Sequence, residues 1–274
     1  VLDPLRQLQK EGFRLSELQP NQDGLINIEQ LSKAVEKDTF LVSVMAANNE
    51  IGVLQPISQI GAFCRSRGIA FHTDAAQALG YLDLDPDKFH IDLMSLSAHK
   101  IYGPKGIGAL VIREDFSLEP AQYGGGQELG LRSGTLPVPL IVGFAKAVEI
   151  TRNGQGERNK RLLFLRNLLL NGLKKNISGL IVNGCIDKRL PHNLNVTFPG
   201  VNGNQLHGEL RRFIFCTSGS ACSNGEASHV LKEIGLCKKD AEASIRMSIG
   251  RNTIEKDIKE AVEIITNIVI NLRK

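Results

Sequence analysis

The first half of the chain alternates short apolar runs with amphipathic stretches. This alternation is typical of strand–helix–strand units, which build a mostly parallel sheet. Between the first two runs, residues 56–65 have a helical pattern that suits Pro56 in the first turn, and Gly68 follows its end. We therefore expect an α/β fold. The predicted strands are 40–45, 69–72, 92–96 and 108–112.

The second half is dominated by helical patterns. One helical stretch is predicted from about Leu140 to a glycine-containing break at 154–156, and another from Arg158 to Lys175. A last helix is predicted to start at Thr253, a suitable N-cap with acidic residues in the turn that follows. Apolar positions recur at helical spacing along this last helix.

A smaller α+β section lies between the second and the last of these helices. Its strands are predicted at 193–198 and 244–249, and a further strand at 213–215 is expected to extend to Cys216. The pattern as a whole therefore predicts two domains. The large domain covers 1–153, and the small C-terminal α+β domain covers 154–274.

The composition of the 274-residue chain is that of an ordinary globular protein, with 42% hydrophobic and 23% charged residues. The formal net charge is +4, and the basic residues are scattered, whereas nucleic-acid-binding proteins usually concentrate them on one face. No apolar stretch is long enough to cross a bilayer. We therefore predict neither a direct nucleic-acid partner nor a membrane.

The five cysteines lack CxxC spacing and are odd in number, which argues against a zinc site and against a disulfide framework. A reducing, intracellular setting, which we take to be the cytoplasm, fits this usage. We interpret Cys64 and Cys185 as small buried hydrophobes and Cys237 as a helix-end residue. Cys222 differs, because its small, polar, glycine-containing surroundings are typical of a loop, where a thiolate can act as a nucleophile.

Polar clusters follow three of the predicted strands, at 48–50, 74–77 and 97–100. In open α/β sheets, ligands bind beyond the carboxyl ends of the strands. Three such clusters at the same relative position predict a ligand site at that edge of the sheet.

Lys100 is the most informative residue of these clusters. It follows a strand, is preceded by small and polar residues and is followed by a glycine-rich turn, so its amine can point into a strand-end cleft. Schiff-base chemistry needs a lysine that is neutral part of the time, and burial in a cleft lowers a lysine pKa. Ser97 and His99 on the same turn can hydrogen-bond a phosphate. A lone lysine here is more often a solvated surface residue, and this alternative stays open.

Asp74 provides the second part of the predicted site. A carboxylate just beyond an apolar strand is costly to bury without a partner, and a pyridinium nitrogen is one such partner. A protonated ring nitrogen makes the ring an electron sink. The alternative is an aspartate that caps the following helix. Combined with Lys100, 26 residues later, the cofactor-binding interpretation is favoured.

Several short segments resemble the class-V aminotransferase family, and within it the cysteine desulfurases. Each segment alone is weakly specific, but together and in the family's order they are very specific, and they cover the whole chain. The segments are Asn-Asn-Glu-Ile-Gly at 48–52, His-Thr-Asp-Ala-Ala-Gln at 72–77, Ser-Ala-His-Lys-Ile-Tyr-Gly-Pro-Lys-Gly-Ile-Gly at 97–108, Gly-Gly-Gly-Gln-Glu at 124–128, Arg-Ser-Gly-Thr at 132–135, Ser-Gly-Ser-Ala-Cys at 218–222 and Ile-Arg-Met-Ser-Ile-Gly-Arg at 245–251.

The resemblance implies a fold-type I enzyme that uses pyridoxal 5'-phosphate. It implies that Lys100 holds the cofactor as a Schiff base and then moves the Cα proton of the substrate, while Asp74 pairs with the ring nitrogen. Arg246 binds the substrate carboxylate through a bidentate pair. The other implied cofactor contacts are Asn48 and Gln77 near the ring hydroxyl, Ser97 and His99 at the phosphate, and Thr135 at the phosphate of a neighbouring subunit in a homodimer. His99 is also expected to take part in catalysis, and Asn48 to contact the substrate.

For Cys222 the resemblance implies attack on the sulfur of L-cysteine, which leaves a persulfide on Cys222 and releases L-alanine. The Ser-Gly-Ser-Ala-Cys segment resembles the group of desulfurases that pass this sulfur to an acceptor protein, either an iron–sulfur scaffold or a tRNA-thiolation carrier. Cys222 is then also a transient iron–sulfur ligand, and no other metal ligand is expected.

Family members have an N-terminal section before the point at which this chain begins. It holds a Gly-Ala-Thr-type turn that binds the phosphate at a helix N-terminus and a histidine that stacks on the cofactor ring. Both are major binding contributions. We therefore expect this polypeptide alone to bind the cofactor weakly or not at all.

Three alternatives to a desulfurase remain. The first is a truncated, non-catalytic remnant that keeps the dimer and partner surfaces. The second is a related pyridoxal-phosphate lyase or aminotransferase, which needs Lys100 and Asp74 but not Cys222. A metal hydrolase is more distant, because the His and Cys residues lack ligand spacing.

Overall fold

The computed structural model describes residues 1–214, 216–217 and 228–274. Contacts between residues divide the chain into two compact units. The first, called the four-stranded unit, consists of Lys37–Ala46 and Ile57–Gln155. The second, called the three-stranded unit, consists of Val1–Glu36, Ala47–Pro56 and Gly156–Lys274.

The regular elements of the described residues are given in chain order. The α-helices are α1 (Leu2–Lys10), α2 (Ile28–Ala34), α3 (Ile57–Arg67), α4 (Val138–Arg152), α5 (Gln155–Asn176), α6 (Gly203–Leu210), α7 (His229–Glu233), α8 (Lys238–Glu242) and α9 (Glu255–Leu272). The strands are β1 (Leu41–Ser43), β2 (Ala70–Asp74), β3 (Leu93–Ser97), β4 (Gly108–Ile112), β5 (Ile181–Val182), β6 (Asn193–Thr197) and β7 (Ser244–Ser248). Short 3₁₀ helices occupy Ala98–Ile101 and Glu128–Gly130.

The four-stranded unit is built on a mostly parallel sheet with the order β1-β2-β3-β4. The first three strands are parallel, and β4 is antiparallel to β3. Side chains alternate between the two faces of a strand, and in β2 this leaves Phe71 and Thr73 buried while His72 and Asp74 on the opposite face are half-buried. The carboxyl end of β2 therefore carries its ionisable groups on one face only.

A small apolar cluster fixes the turn that follows β3. Ala98 and Ile101 pack with Phe144 and Ala147 of α4. The approach is so close that a Cβ on Gly103 would lie 2.9 Å from the Ala98 carbonyl oxygen and 3.1 Å from the Ala147 Cβ. The turn is thus packed against α4 on its apolar side, which determines where its polar residues point.

The three-stranded unit contains the antiparallel sheet β5-β6-β7. Every residue of β6 is buried. Two of its polar side chains are paired with Asn183 outside the strand, because the Asn183 amide donates to Asn195 Oδ1 at 2.7 Å and Thr197 donates to Asn183 Oδ1 at 2.9 Å, whereas Asn193 Oδ1 has no hydrogen-bond partner among the described residues. The Ser244 hydroxyl extends this buried network, 2.7 Å from that of Thr197. Most buried polar groups in folded proteins are paired in this way.

Six of the seven predicted strands are confirmed, with small differences in their bounds. The strand predicted at 108–112 coincides with β4, whereas β1 is shorter than the predicted 40–45. Hydrogen bonding nevertheless continues beyond β1, since the amide of Val44 donates to the carbonyl of His72 and that of Ala46 to the carbonyl of Asp74.

Two local predictions are wrong. Thr253 is not the N-cap of α9, because that position is taken by Ile254, whose amide donates to Asp257, while the Thr253 hydroxyl accepts from the amide of Gly250. The strand predicted at 213–215 is absent at residues 213 and 214, where both amides instead donate back to the carbonyl of Leu210 in a turn after α6. Residue 215 lies outside the described residues.

The compact units differ from the expected continuous domains in one respect. The units divide near the expected boundary, at Gln155/Gly156, but residues 1–36 and 47–56 group with the C-terminal part. Backbone pairing explains this grouping, because Val53 bridges Arg189 and the Leu54 amide donates to the carbonyl of Lys188.

No helix within the described ranges is both long and apolar enough to span a membrane.

A candidate cofactor site at the strand ends

Asp74 is the last residue of β2 and is held by both neighbouring strands. Its carbonyl accepts from the amide of Ala46 at 2.8 Å, and the next amide, that of Ala75, donates to the carbonyl of Ser95 at 2.9 Å. The carboxylate Oδ1 accepts from the amide of Ala76 at 2.9 Å. Among the described residues, no helix follows Asp74 directly, so the alternative of a helix-capping aspartate is not met. The bond instead stabilises a turn and fixes the orientation of the half-buried carboxylate.

Lys100 lies in the 3₁₀ turn that follows β3. Because Ala98 and Ile101 occupy the buried side of this turn, His99 and Lys100 are exposed. The expectation that the Lys100 amine is buried in a cleft is therefore not met in this structure. His99 is oriented by Ser97, whose hydroxyl lies 2.9 Å from His99 Nδ1.

The sheet brings these predicted residues to one edge. β2 and β3 are neighbouring parallel strands in which Asp74 is opposite Ser95, so both chains leave the sheet at the same end. Gln77 is half-buried in the turn after Asp74. Neighbouring strands lie about 4.8 Å apart, which a lysine side chain spans easily. Asp74 and the turn that carries Lys100 therefore follow neighbouring strand ends, and contact of one cofactor ring with both side chains stays a prediction.

The chemistry of these groups fits pyridoxal phosphate. A lysine amine suits its aldehyde, and a carboxylate suits a protonated ring nitrogen. A hydroxyl and an imidazole, held together as Ser97 and His99 are, suit its phosphate. The residues of the four-stranded unit thus provide a partner for each reactive part of this cofactor.

His72 is a polar residue of this region that the sequence motifs contained but that was not predicted as a site residue. Its Nδ1 lies 2.7 Å from the Ser43 hydroxyl and its Nε2 lies 2.9 Å from the Ser95 hydroxyl. Burial lowers the pKa of His72, and the nearby Asp74 carboxylate opposes this effect. The signal available in the sequence was its position two residues before Asp74, which places both on one strand face.

Thr135 lies in the glycine-rich segment before α4. Ser133 is buried and donates to the carbonyl of Gly125 at 2.9 Å, and the amide of Gly134 donates to Gln127 Oε1 at 3.1 Å. These bonds hold the segment, while the Thr135 side chain is exposed. Its contact with the cofactor phosphate of another subunit stays a prediction.

Asn48 and Arg246 belong to the three-stranded unit. Asn48 Oδ1 accepts from the amides of Glu50 at 2.8 Å and Ile51 at 3.0 Å, so any bond from this side chain to a cofactor oxygen must come from its NH₂ group. Arg246 of β7 is half-buried, and its Nη1 donates to the carbonyl of Asn49 at 3.0 Å. The two predicted residues are thus linked through the turn at 48–50.

Burial and a nearby carboxylate act on the pKa of Arg246 in opposite directions. Burial lowers the pKa of the Arg246 guanidinium, and the Glu50 carboxylate counteracts it. Burial, followed by the charge of Arg246, lowers the pKa of His192 to about 4, so His192 is neutral at physiological pH. Glu50 is only 1% exposed and accepts from the Ser228 hydroxyl, while its Oε1 has no hydrogen-bond partner within the described ranges.

Cys222 lies outside the described residues, so its predicted role rests on the sequence. Of the described cysteines, Cys64 is fully buried, and burial together with Asp92 raises its pKa to about 11. Burial also raises the pKa of Cys216. Cys237 is the N-cap residue of α8 and is exposed.

In the described part of the chain, no group of three or more His, Cys, Asp or Glu residues is arranged to hold a metal ion.

Comparison with known proteins was made for both sequence and structure. Residues 1–260 match the model of the family described as "Aminotransferase class-V". The chain is 48% identical over 277 residues to cysteine desulfurase IscS of Vibrio vulnificus (strain YJ016), covering 100% of this chain and 68% of that relative. It is 46% identical over 278 residues to the mitochondrial cysteine desulfurase of Arabidopsis thaliana, covering 100% of this chain and 61% of that relative.

Solved structures with similar folds and names also match this chain. A protein named "NifS-like protein" matches with a TM-score of 0.91 and 34% identity, over 99% of this chain and 72% of that one. DndA from Streptomyces lividans matches with a TM-score of 0.77 and 38% identity, over 90% of this chain and 71% of that one. The predicted fold-type I architecture and the predicted cofactor, pyridoxal phosphate, are confirmed. The chain belongs to the class-V aminotransferase family, among the pyridoxal-phosphate-dependent cysteine desulfurases.

Proposed function

We propose that this chain removes sulfur from L-cysteine, releases L-alanine and carries the sulfur as a persulfide on Cys222. The observation that carries the proposal is the placement of Asp74 and the Lys100 turn at one edge of adjacent parallel strands. Together with the family membership, this geometry supports chemistry at the Cα of an amino acid.

Pyridoxal phosphate, when bound, supplies an electron sink for the charge that develops on the substrate carbons. Lys100 moves the substrate proton, for which its exposed position on a rigid turn leaves it free to swing. Asp74 holds a proton at the ring nitrogen. Ser97 and His99 bind the phosphate, and Gln77, together with the amide NH₂ of Asn48, donates to the ring oxygen.

Arg246 binds the carboxylate of the amino-acid substrate. Its planar guanidinium can donate two parallel hydrogen bonds to a carboxylate. The bond from Nη1 to the carbonyl of Asn49 limits the orientations of the side chain before substrate arrives. Pre-orientation of this kind reduces the entropy lost on binding.

Cys222 takes the sulfur in the second stage. Its thiolate attacks the thiol sulfur of the substrate, a sulfur–sulfur bond forms, and the bond between that sulfur and Cβ breaks. The electron pair of the broken bond stays on Cβ, where a proton completes L-alanine. No external oxidant is required, because the electrons that leave sulfur reduce carbon.

Further parts of the proposal concern partners. We propose a homodimer in which Thr135 reaches the cofactor phosphate of the partner subunit. The persulfide passes to an acceptor protein, an iron–sulfur scaffold or a tRNA-thiolation carrier, with Cys222 as a transient iron–sulfur ligand. A reducing compartment, which we propose to be the cytoplasm, keeps Cys222 available as a thiol.

Mass spectrometry after treatment with L-cysteine tests this function. We expect the addition of one sulfur atom to the peptide that contains Cys222, with L-alanine released. Cys222→Ser should abolish both the added sulfur and most of the alanine, because no other nucleophile takes the sulfur. The matched control is Cys237→Ser, which replaces an exposed cysteine outside the site and should leave both signals unchanged.

The other outcomes separate the alternatives. Product formation that persists in Cys222→Ser would favour a related lyase or aminotransferase. Absence of both sulfur transfer and alanine from the unsubstituted chain would favour a non-catalytic remnant.

A further inference from the structure

A line of three polar side chains crosses the parallel part of the sheet. The imidazole of His72 on β2 lies between the hydroxyl of Ser43 on β1, 2.7 Å from Nδ1, and the hydroxyl of Ser95 on β3, 2.9 Å from Nε2. Both ring nitrogens therefore have a partner, and the three strands are linked through side chains as well as through their backbones.

This line lies directly next to the candidate cofactor site. His72 and Asp74 share one face of β2, since they are two residues apart on a strand. Ser95 and Ser97 share the corresponding face of β3, and Ser95 is opposite Asp74 in the register. The bond from His72 to Ser95 thus connects two neighbouring strands. One is β2, which carries Asp74, and the other is β3, which leads through Ser97 into the turn of His99 and Lys100.

The environment keeps the imidazole neutral. Burial lowers the pKa of His72 more than the Asp74 carboxylate raises it. A neutral imidazole has one donor nitrogen and one acceptor nitrogen, and a serine hydroxyl can serve either. A neutral His72 also leaves the negative charge of Asp74 for the ring nitrogen, because a cationic neighbour would compete for it.

We propose that His72 is a positioning residue of the cofactor site, which fixes Asp74 of β2 and Ser97 of β3 relative to each other through its bond to Ser95. The inference rests on the proposed cofactor roles of Asp74, Ser97 and Lys100. His72 itself need not contact the cofactor, and its action is transmitted through Ser95. The bond to Ser43 uses the other ring nitrogen and connects His72 to β1. Within the four-stranded unit, β1 supplies no predicted cofactor residue.

This difference between the two serines provides the test. Pyridoxal phosphate is titrated into the chain, the cofactor–lysine adduct is reduced with borohydride, and the label on Lys100 is quantified by mass spectrometry. The reduction is a short borohydride pulse of fixed length, so that the label reports the adduct present at each cofactor concentration. The midpoint of the titration gives the apparent affinity without any need for turnover.

We expect Ser95→Ala and His72→Phe to raise the midpoint concentration about tenfold, the size typical of a buried hydrogen-bonding group left unpaired. Ser43→Ala removes an equivalent bond and should change the midpoint by less than about twofold, with a similar loss of thermal stability. His72→Gln, whose amide can reach the position of Nε2, should restore the midpoint better than His72→Asn, whose amide matches Nδ1.

A purely structural role of His72 predicts a different pattern. In that case, one possible result is that Ser43→Ala and Ser95→Ala raise the midpoint concentration equally. The other is that neither variant changes the midpoint concentration, although Asp74→Asn raises it. Either result overturns the inference and leaves the proposed function intact. If the unsubstituted chain acquires no label on Lys100, the proposed function fails together with the inference.

Discussion

Replacing Lys100 by alanine is expected to abolish the release of alanine from L-cysteine. Loss of positioned proton transfer alone lowers a rate by roughly 10²–10⁴-fold, and loss of the lysine nucleophile adds to this. The side chain is exposed, and the buried contacts of its turn come from Ala98 and Ile101. The free energy of unfolding should therefore change by less than about 0.5 kcal/mol, as for other surface substitutions.

A second lysine on the same glycine-rich segment offers a matched control. Lys105 is also exposed and has no proposed role in the chemistry. Lys105→Ala should retain alanine release within about twofold, a change of less than about 0.5 kcal/mol in the barrier. Turnover that survives Lys100→Ala but is lost in Lys105→Ala would contradict the assignment of the catalytic lysine.

Gly80→Ala is expected to cause a large loss of stability in the four-stranded unit. Gly80 has φ +84°, and a Cβ there would lie only 2.0 Å from Cγ2 of Thr151 at the end of α4. A left-handed backbone costs a residue with a Cβ about 1–2 kcal/mol, and overpacking costs about 1–3 kcal/mol more. We therefore expect the free energy of unfolding to fall by roughly 2–5 kcal/mol in denaturant titrations.

The control separates backbone strain from overpacking. Gly68 also has a left-handed backbone, with φ +66°, but a Cβ there would have nothing within 4 Å. Gly68→Ala should thus cost only about 1–2 kcal/mol. Adding Thr151→Ser to Gly80→Ala removes the clashing methyl group and should recover part of the difference. Equal losses from Gly68→Ala and Gly80→Ala would show that the contact with Thr151 is unimportant.

Much of the four-stranded sheet followed from the sequence because its strands are short apolar runs bounded by polar or glycine-rich segments. The strand 108–112 was predicted at the same residues that form β4, since glycine precedes it and a charged segment follows it. The positions of Asp74 and Lys100 at one sheet edge also followed, because carboxyl ends of parallel strands lie together.

Features that depend on register or on competing polar groups could not be predicted. The link from His72 to Ser43 and Ser95 depends on which residues of three strands lie opposite each other, and a single strand does not reveal this. Thr253 looked like an N-cap, but Asp257 binds the amide of Ile254 and shifts the start of α9 by one residue.

The exposure of Lys100 shows a different limit. The chemistry of a Schiff-base lysine suggested burial, and the sequence contains no indication of which side of the turn faces the interior. Packing of Ala98 and Ile101 against Phe144 decides this and leaves Lys100 on the outer side.

The lysine that reacts with the cofactor can be identified by chemical trapping. The chain is incubated with pyridoxal phosphate, reduced with borohydride, digested and mapped by mass spectrometry, with Asp74→Asn treated in parallel. We predict that the label is concentrated on Lys100, well above Lys105, and that Asp74→Asn weakens it. Label spread over the exposed lysines without preference, or equal labelling in Asp74→Asn, would contradict a cofactor held between these two residues.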